Sequence, residues 1–204
     1  MAVQLLGPIV RVQVQRSSLK LGERGRRVYD PTPIQPVAVA TLSADGVTGW
    51  TGEGRALADV HSRAHPQSKN RDGENGISVL FTSHYDAMRA RFGSHLTDGI
   101  AGESLLVQAQ RMIGQDDLRH GLLILARDGA RAILDPLVVA EPCVEFTRFA
   151  LEGAGCDEPV HEALKALRWG MRGFYARYRG EAITVRPGDM VYTLDAGAET
   201  PAPD

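Results

Sequence analysis

One cysteine, Cys143, carries the clearest argument for chemistry in this chain. It directly follows Pro142, and proline is favoured as the first residue of a helix, so we expect Cys143 in the first turn of a helix. Unpaired backbone N–H groups and the helix dipole at that end favour the thiolate, which attacks electrophiles and binds soft metals. The alternative is a small apolar residue packed beneath the helix, which is the usual fate of a free cysteine.

A long polar segment, Thr51 to Gly76, is the second feature that suggests function. It has neither helical nor strand periodicity, and structureless loops of this length in compact domains are usually functional or disordered. Its donors could surround a phosphate or another oxyanion. The predicted ligand-binding residues are Arg63, His65, Lys69, Asn70 and Arg71 from this segment, together with Arg172. The alternative is an ordinary solvated loop with scattered charges.

The sequence disfavours several classes of protein. The 204 residues have a formal net charge of -2, without the basic excess that nucleic-acid binding requires. The histidines lack the spacing of a zinc site, and the glycine-rich stretches match neither a dinucleotide fold nor a P-loop. We find no signal peptide, no membrane span and too few cysteines for a disulfide framework, so we expect a cytoplasmic protein without membrane partners. The other cysteine, Cys156, has no base or cation close in sequence, and we expect it to be incidental.

The elements that must position these residues are mostly short strands. Val10, Val12 and Val14 alternate with polar residues, which is typical of a strand with one buried face. Further apolar runs predict strands over 36–42, 77–81, 105–107, 122–126, 130–139, 183–185 and 190–194. About eight short strands favour a mainly β fold, either a barrel or a strongly bent sheet.

Helices are expected to be fewer. The pattern of caps and apolar residues predicts three, over 82–92, 142–152 and 159–171. In the first of them Thr82 or Ser83 can act as the cap, Tyr85, Met88 and Phe92 share one face, and Gly93 supplies the stop. We predict a single domain over residues 1–195 and a disordered tail over residues 196–204, because the tail is small, acidic and proline-containing.

Five stretches, taken in order, resemble known motifs. They are Gly76–Phe81 with the helix after it, Asp98–Leu105, Val139–Cys143, Met171–Tyr175 and Arg186–Val191. Together they resemble the MOSC domain family, named for the C-terminal part of molybdenum-cofactor sulfurases, over about residues 8 to 194. The chain departs from the family pattern in three places: it lacks the His-Gly-Gly ahead of Ile77, it has Ser104 for an asparagine, and it has Ala140 for an arginine.

The resemblance implies a mainly β, α+β fold of the MOSC or pyruvate-kinase-barrel type, with a shallow cleft over Pro142-Cys143. It also implies binding of molybdenum cofactor (molybdopterin), with Cys143 as the molybdenum ligand, or transfer of sulfur carried on Cys143. Relatives include enzymes that reduce N-hydroxylated compounds, and the family is associated with pyridoxal phosphate enzymes. The partners would be a small anionic ligand or cofactor and an electron donor or sulfur donor protein.

A second hypothesis comes from a different class of protein. The departures remove an arginine and a histidine from the presumed anion site, and they favour a non-catalytic β-barrel that binds a small anion or a partner protein through the same cleft. Under either hypothesis Asp189 is a turn residue, and Glu103 is a structural residue that could anchor the cysteine loop.

Overall fold

The structure, a computed structural model, describes residues 3–23, 25–70, 72–155 and 158–195. The predicted tail, 196–204, and Cys156 lie outside these residues. The strands of the described chain are β1 (Val3–Gln15), β2 (Lys20–Leu21), β3 (Val28–Tyr29), β4 (Ile34–Val37), β5 (Val39–Ser43), β6 (Gly46–Trp50), β7 (Ala56–Ala58), β8 (Ile77–Phe81), β9 (Leu105–Val107), β10 (Leu122–Leu125), β11 (Arg131–Val139), β12 (Phe174–Tyr178), β13 (Ile183–Val185) and β14 (Met190–Leu194). The helices are α1 (Thr82–Phe92), α2 (Val144–Ala154) and α3 (Val160–Ala166), with a 3₁₀ turn at Gln115–Leu118.

Seven strands close into a barrel, in the order β1, β14, β10, β11, β12, β8, β9 and back to β1. All neighbours are antiparallel except β8 and β9, which are parallel because α1 connects them in a crossover. The long strand β1 also pairs with β4, and β13, β5, β6 and β7 form a second sheet. The expectation of a mainly β, barrel-like fold with three helices is confirmed.

The alternation predicted for the first strand holds at Val12 and Val14, which are buried, and is wrong at Val10, which is 40% exposed. The register of β1 against β9 shifts between Ile9 and Arg11. Since a one-residue shift moves a side chain to the other face, Ile9 takes the interior position instead of Val10.

Several strands are absent from the sequence prediction. The barrel strand β12 has buried side chains at Phe174, Ala176 and Tyr178, a period-two pattern that matches a strand with one buried face. The polar segment also holds β7, and the run predicted over 36–42 is divided between β4 and β5. The described chain therefore has more strands than the eight expected, and most of the additional ones belong to the second sheet and the β2–β3 hairpin.

The first helix ends at Phe92 as predicted, and Tyr85, Met88 and Phe92 are buried as expected. Its N-cap is Phe81, without a side-chain capping bond, so the prediction of Thr82 or Ser83 as the cap is wrong. The second ends later than predicted because Gly153 lies inside it, and the helix stops at Gly155 with φ +58. The third ends at Ala166 rather than near residue 171. None of the described helices is long and apolar enough to cross a membrane.

Two hydrophobic cores hold the fold together. One fills the barrel and includes Ile9, Phe81 and Phe174. The other lies outside the barrel, where α1, α2 and α3 cover apolar side chains such as Leu80 and Leu106. Neighbouring residues of β8 and β9 point into different cores, so these strands are buried on both faces, as the continuous apolar runs in their sequences predict.

The turn between β5 and β6 requires a glycine, and this can be tested. Gly46 has φ +115, and a Cβ there would lie 2.7 Å from the carbonyl oxygen of Gly76. We expect Gly46→Ala to lower the free energy of unfolding by about 1–3 kcal/mol in urea denaturation. Gly129→Ala is the matched control, because Gly129 has φ +89 with nothing within 4 Å of the added atom. Equal losses in the two variants would contradict a contact between these backbones.

Candidate functional site

A cavity of about 380 Å³ lies between the barrel, the β2–β3 hairpin and the polar segment. This volume is within the range of roughly 300 to 1,000 Å³ found for small-molecule sites. Its walls come from the end of β1, the start of β8, the loop before β9, the turn between β11 and α2, and the start of β12. Cys143 is part of this wall.

Basic side chains outnumber carboxyl groups around the cavity. Glu103 and Glu141 are its acidic side chains. The basic ones are Lys20, Arg27, Lys69 and Arg172. Neither Lys69 nor Arg27 has a hydrogen bond or ion pair within the described residues, so both are free to interact with a ligand. A concave wall with this charge attracts small anions.

Cys143 is the N-cap residue of α2, in an extended conformation with φ −113 and ψ 152. Pro142 therefore precedes the helix, whereas the sequence predicts it as the first helical residue. The Cys143 carbonyl accepts bonds from the amide and hydroxyl of Thr147, and its side chain makes no capping bond. The half-buried thiol is left at the positive end of the helix, on the cavity wall, as the argument from the helix dipole expects.

Lys20 and Glu145 lie next to the thiol. Their charged groups form an ion pair of 3.3 Å between Nζ and Oε2. Burial would raise the pKa of Glu145, but a backbone N–H, the Lys20 ammonium and the Cys143 thiol together hold it below its ordinary value. Glu145 is therefore ionised, and Lys20 offsets its negative charge.

Arg172 is fixed at the base of the cavity. Its guanidinium lies over the ring of Phe146, 3.4 Å from the centre, and Nη2 donates to the carbonyl of Ala101 at 3.1 Å. The buried Nη1 has no hydrogen-bond partner in the described chain. Arg172 therefore contributes positive charge while two of its contacts hold it in place.

Glu103 is a buried carboxyl beside Arg172. Its Oε2 accepts from the Tyr85 hydroxyl at 2.9 Å, and its Oε1 has no partner among the described residues. Burial raises its pKa from 4.5 to about 7, although Tyr85 and Arg172 act in the opposite direction. The sequence predicts an anchor for the cysteine loop, but the bond that Glu103 accepts comes from α1 instead.

Of the predicted site residues, Cys143, Lys69 and Arg172 meet at the cavity. Three others lie outside its lining: Arg63, His65 and Asn70. Arg63 pairs with Asp45 at 2.7 Å, and His65 Nε2 lies 3.2 Å from the carbonyl of Arg16.

Asn70 has a structural position within the polar segment. Its amide nitrogen donates to the carbonyl of His61, and its amide oxygen accepts from the backbone of Asn75. These bonds replace secondary structure in a stretch that has little of its own. The last predicted residue, Arg71, lies outside the described residues.

Sequence reasoning does not select three cavity residues, Lys20, Arg27 and His61. The first two belong to the short β2–β3 hairpin and its turn, which has no strong strand pattern. His61 has a visible cue, because Asp59 stands two positions before it and this spacing suits a local carboxylate–imidazole contact.

Comparison with solved structures finds this fold in other proteins. The YuaD protein from Bacillus subtilis has a TM-score of 0.55 and 14% identity, over 96% of this chain and 98% of that one. YiiM from Geobacillus stearothermophilus has a TM-score of 0.51 and 17% identity, over 97% of this chain and 77% of YiiM. A third structure, of a hypothetical protein, has a TM-score of 0.54 and 10% identity, over 96% of this chain and 71% of that protein. No protein-family model and no curated protein sequence matches the chain.

The fold class follows from these likenesses. YuaD and YiiM are MOSC-domain proteins, so the chain has a MOSC-type fold, mainly β, with a closed seven-stranded barrel and three helices. Within this fold the site is defined by its own residues: a half-buried thiol at a helix N-terminus, in a cavity with a basic lining.

The buried carboxyl leads to a prediction about pH. The unfolded chain releases the Glu103 proton near pH 4.5, whereas the folded protein keeps it until about pH 7. The unfolded state therefore binds fewer protons in this interval, so this group makes stability fall as the pH rises from 4.5 to 7. We expect Glu103→Gln to flatten that decline in thermal unfolding measured across the interval. Glu141→Gln, at the exposed rim, is the control, and an unchanged slope in Glu103→Gln would contradict the assignment.

Proposed function

We propose that the cavity binds a small anionic ligand beside the Cys143 thiol, and that this thiol takes part in the chemistry of the ligand. The observation that carries the proposal is the convergence of basic side chains from separate parts of the chain on one cavity that also contains the cysteine. Lys20, Lys69 and Arg172 come from three different elements or loops. A purely structural cysteine would not need such surroundings.

The chemistry of these donors fits molybdenum cofactor. A thiolate is a soft ligand of the kind that molybdenum accepts, and cationic side chains suit the terminal phosphate of a pterin cofactor. Cys143 would hold the metal, while Lys69 and Arg27, which have no partner in the described chain, would bind the phosphate. When bound, the cofactor would supply two-electron redox chemistry, as needed to reduce an N-hydroxylated compound.

The same residues suit sulfur transfer. A thiolate at Cys143 can accept a sulfur atom from a donor persulfide and release the donor as a thiolate, so that sulfur passes without net oxidation. Lys20, whose ammonium group pairs with Glu145 at the start of the same helix, would stabilise the thiolate, and the thiol proton would leave to solvent. An electron donor or sulfur donor protein is the partner that these two chemistries require.

The second candidate is a barrel that binds an anion without using the thiol. It is favoured by Ala140, which lines the cavity where the MOSC pattern has an arginine, and by the buried carboxyl of Glu103. In this case the basic residues would bind the ligand and Cys143 would only pack against α2.

The first experiment separates these candidates. We expect the purified protein to contain molybdenum and a pterin, or added sulfur detectable by intact mass spectrometry, and expect these to be absent from Cys143→Ser. The serine keeps the size of the side chain and its place at the N-cap but removes the soft ligand. Protein without metal or added sulfur, with equal anion binding in Cys143→Ser, would support the second candidate instead.

The basic lining can be tested by itself with sulfate as the probe. We expect Lys69→Gln to weaken sulfate binding by about five- to tenfold in calorimetry at low salt, because it removes an unpaired cation from the cavity wall. Arg63→Gln is the matched control, since Arg63 belongs to the same polar segment but pairs with Asp45 outside the cavity. Equal losses in both variants would show that sulfate responds only to net charge.

A further inference from the structure

An imidazole on the cavity wall is held by a buried carboxylate. The Asp59 side chain is almost completely inaccessible to solvent. Its Oδ2 accepts from the backbone amide of Gln15 at 2.7 Å, and its Oδ1 accepts from the backbone amide of His61 at 2.8 Å. The same Oδ1 lies 3.0 Å from Nδ1 of the His61 ring. These contacts tie the histidine to the end of β1.

This arrangement fixes which ring nitrogen carries the proton. A carboxylate only accepts hydrogen bonds, so His61 Nδ1 must be the protonated nitrogen of the neutral ring. The ring also packs against Tyr175 with centroids 5.7 Å apart, and Asn70 holds the His61 carbonyl. Nε2 has no partner among the described residues, and the side chain keeps 28% of its surface exposed at the cavity. Nε2 is therefore free for a ligand.

We propose that His61 is the proton donor to an oxyanion group of the ligand in this cavity, with Asp59 as its positioning residue. The inference rests on the proposed anion binding and adds the residue that supplies the proton. Nε2 takes a proton from solvent, and the carboxylate of Asp59 offsets the charge of the imidazolium. When that proton moves to a ligand oxygen, the electron pair stays on Nε2 and the ring returns to its neutral form.

Other charged groups share the cavity and must be separated from His61 in any test. These charged or titratable groups are Asp59 and Lys69 on its own segment, Tyr175 on β12 and Arg172 before it, Lys20 and Arg27 on the β2–β3 hairpin, Glu103 before β9, and Glu141 and Cys143 between β11 and α2. Glu103 also titrates near neutral pH. Comparing variants with wild type at each pH cancels its effect, because Glu103 is present in both proteins.

The tautomer is the first observable. In ¹⁵N-labelled protein at alkaline pH, we expect the ring spectrum that His61→Gln removes to show a protonated Nδ1 and an unprotonated Nε2. Free neutral histidine prefers the opposite tautomer, so this pattern reports the bond to Asp59. Sulfate added at pH 6 should shift the Nε2 resonance, whereas the ring of the exposed His161 should not respond. A protonated Nε2 in the neutral ring, or an Nε2 unaffected by bound sulfate, would overturn the proposal.

Affinity at two pH values is the second observable. Sulfate keeps its charge between pH 6 and 8.5, so any change in its affinity comes from a change in the protein. Histidine is the side chain that ordinarily changes charge between these two pH values, so we expect His61→Gln to weaken sulfate binding about tenfold at pH 6 and to match wild type at pH 8.5. His161→Gln is the matched control, and its affinity for sulfate should equal that of wild type at both pH values. Equal losses at both pH values would show a merely structural role and would contradict the proposal.

These outcomes also distinguish the inference from the proposed function. If sulfate binds with the expected dependence on Lys69 but without involvement of His61, the anion site stands and the proton donor is wrong. If wild-type protein binds no sulfate at either pH, the anion site fails and the inference that rests on it falls with it.

Discussion

The packing of the Arg172 guanidinium on the Phe146 ring joins the parts of the molecule that make the cavity. Arg172 precedes β12, Phe146 belongs to α2, and Arg172 also donates to Ala101 in the loop before β9. A stacked guanidinium remains charged, so one contact both packs the helix against the barrel and keeps a cation in the cavity that contains the thiol. Replacing it by a neutral apolar side chain would keep the packing and lose the charge.

The position of α2 depends on a second, aromatic layer. The Phe146 ring meets Tyr29 edge-on at 5.1 Å, and the Tyr29 hydroxyl donates to the carbonyl of Ile100. The β2–β3 hairpin is thereby attached to the helix that begins at the cysteine. Cations on that hairpin reach the cavity because this aromatic contact holds it against the rest of the protein.

Local patterns predicted the elements whose environment is simple. The end of the first helix at Gly93 and the bounds of β9 were predicted correctly because a glycine stop and an apolar run are encoded by neighbouring residues. The buried face of β1 was predicted only in part, since the shift between Ile9 and Arg11 arises from pairing with a strand far along the chain. Long-range pairing of this kind leaves no mark in a short window of sequence.

In the site, too, features encoded by neighbouring residues were predicted and those that depend on the tertiary fold were not. Cys143 was identified because its chemistry depends on the adjacent helix, which is a local feature. Arg63 was selected for its charge, yet that charge is neutralised by Asp45, eighteen positions earlier. Lys20 was missed because only the tertiary fold brings it to Glu145. Charge in a sequence indicates which residues can bind an anion, and packing decides which of them meet.

The strand order of the barrel has a consequence for the synthesis of the protein. The first strand, β1, closes the barrel by pairing with the last, β14, with Val3 opposite Leu194. A nascent chain cannot form this seam until nearly all of these residues have left the ribosome, and the part of β1 that pairs with β14, from Val3 to Pro8, stays unpaired on that edge until then. Pairing of such distant segments is slow, so we expect closure of the barrel to be a late step of folding, completed only after synthesis of the last strand.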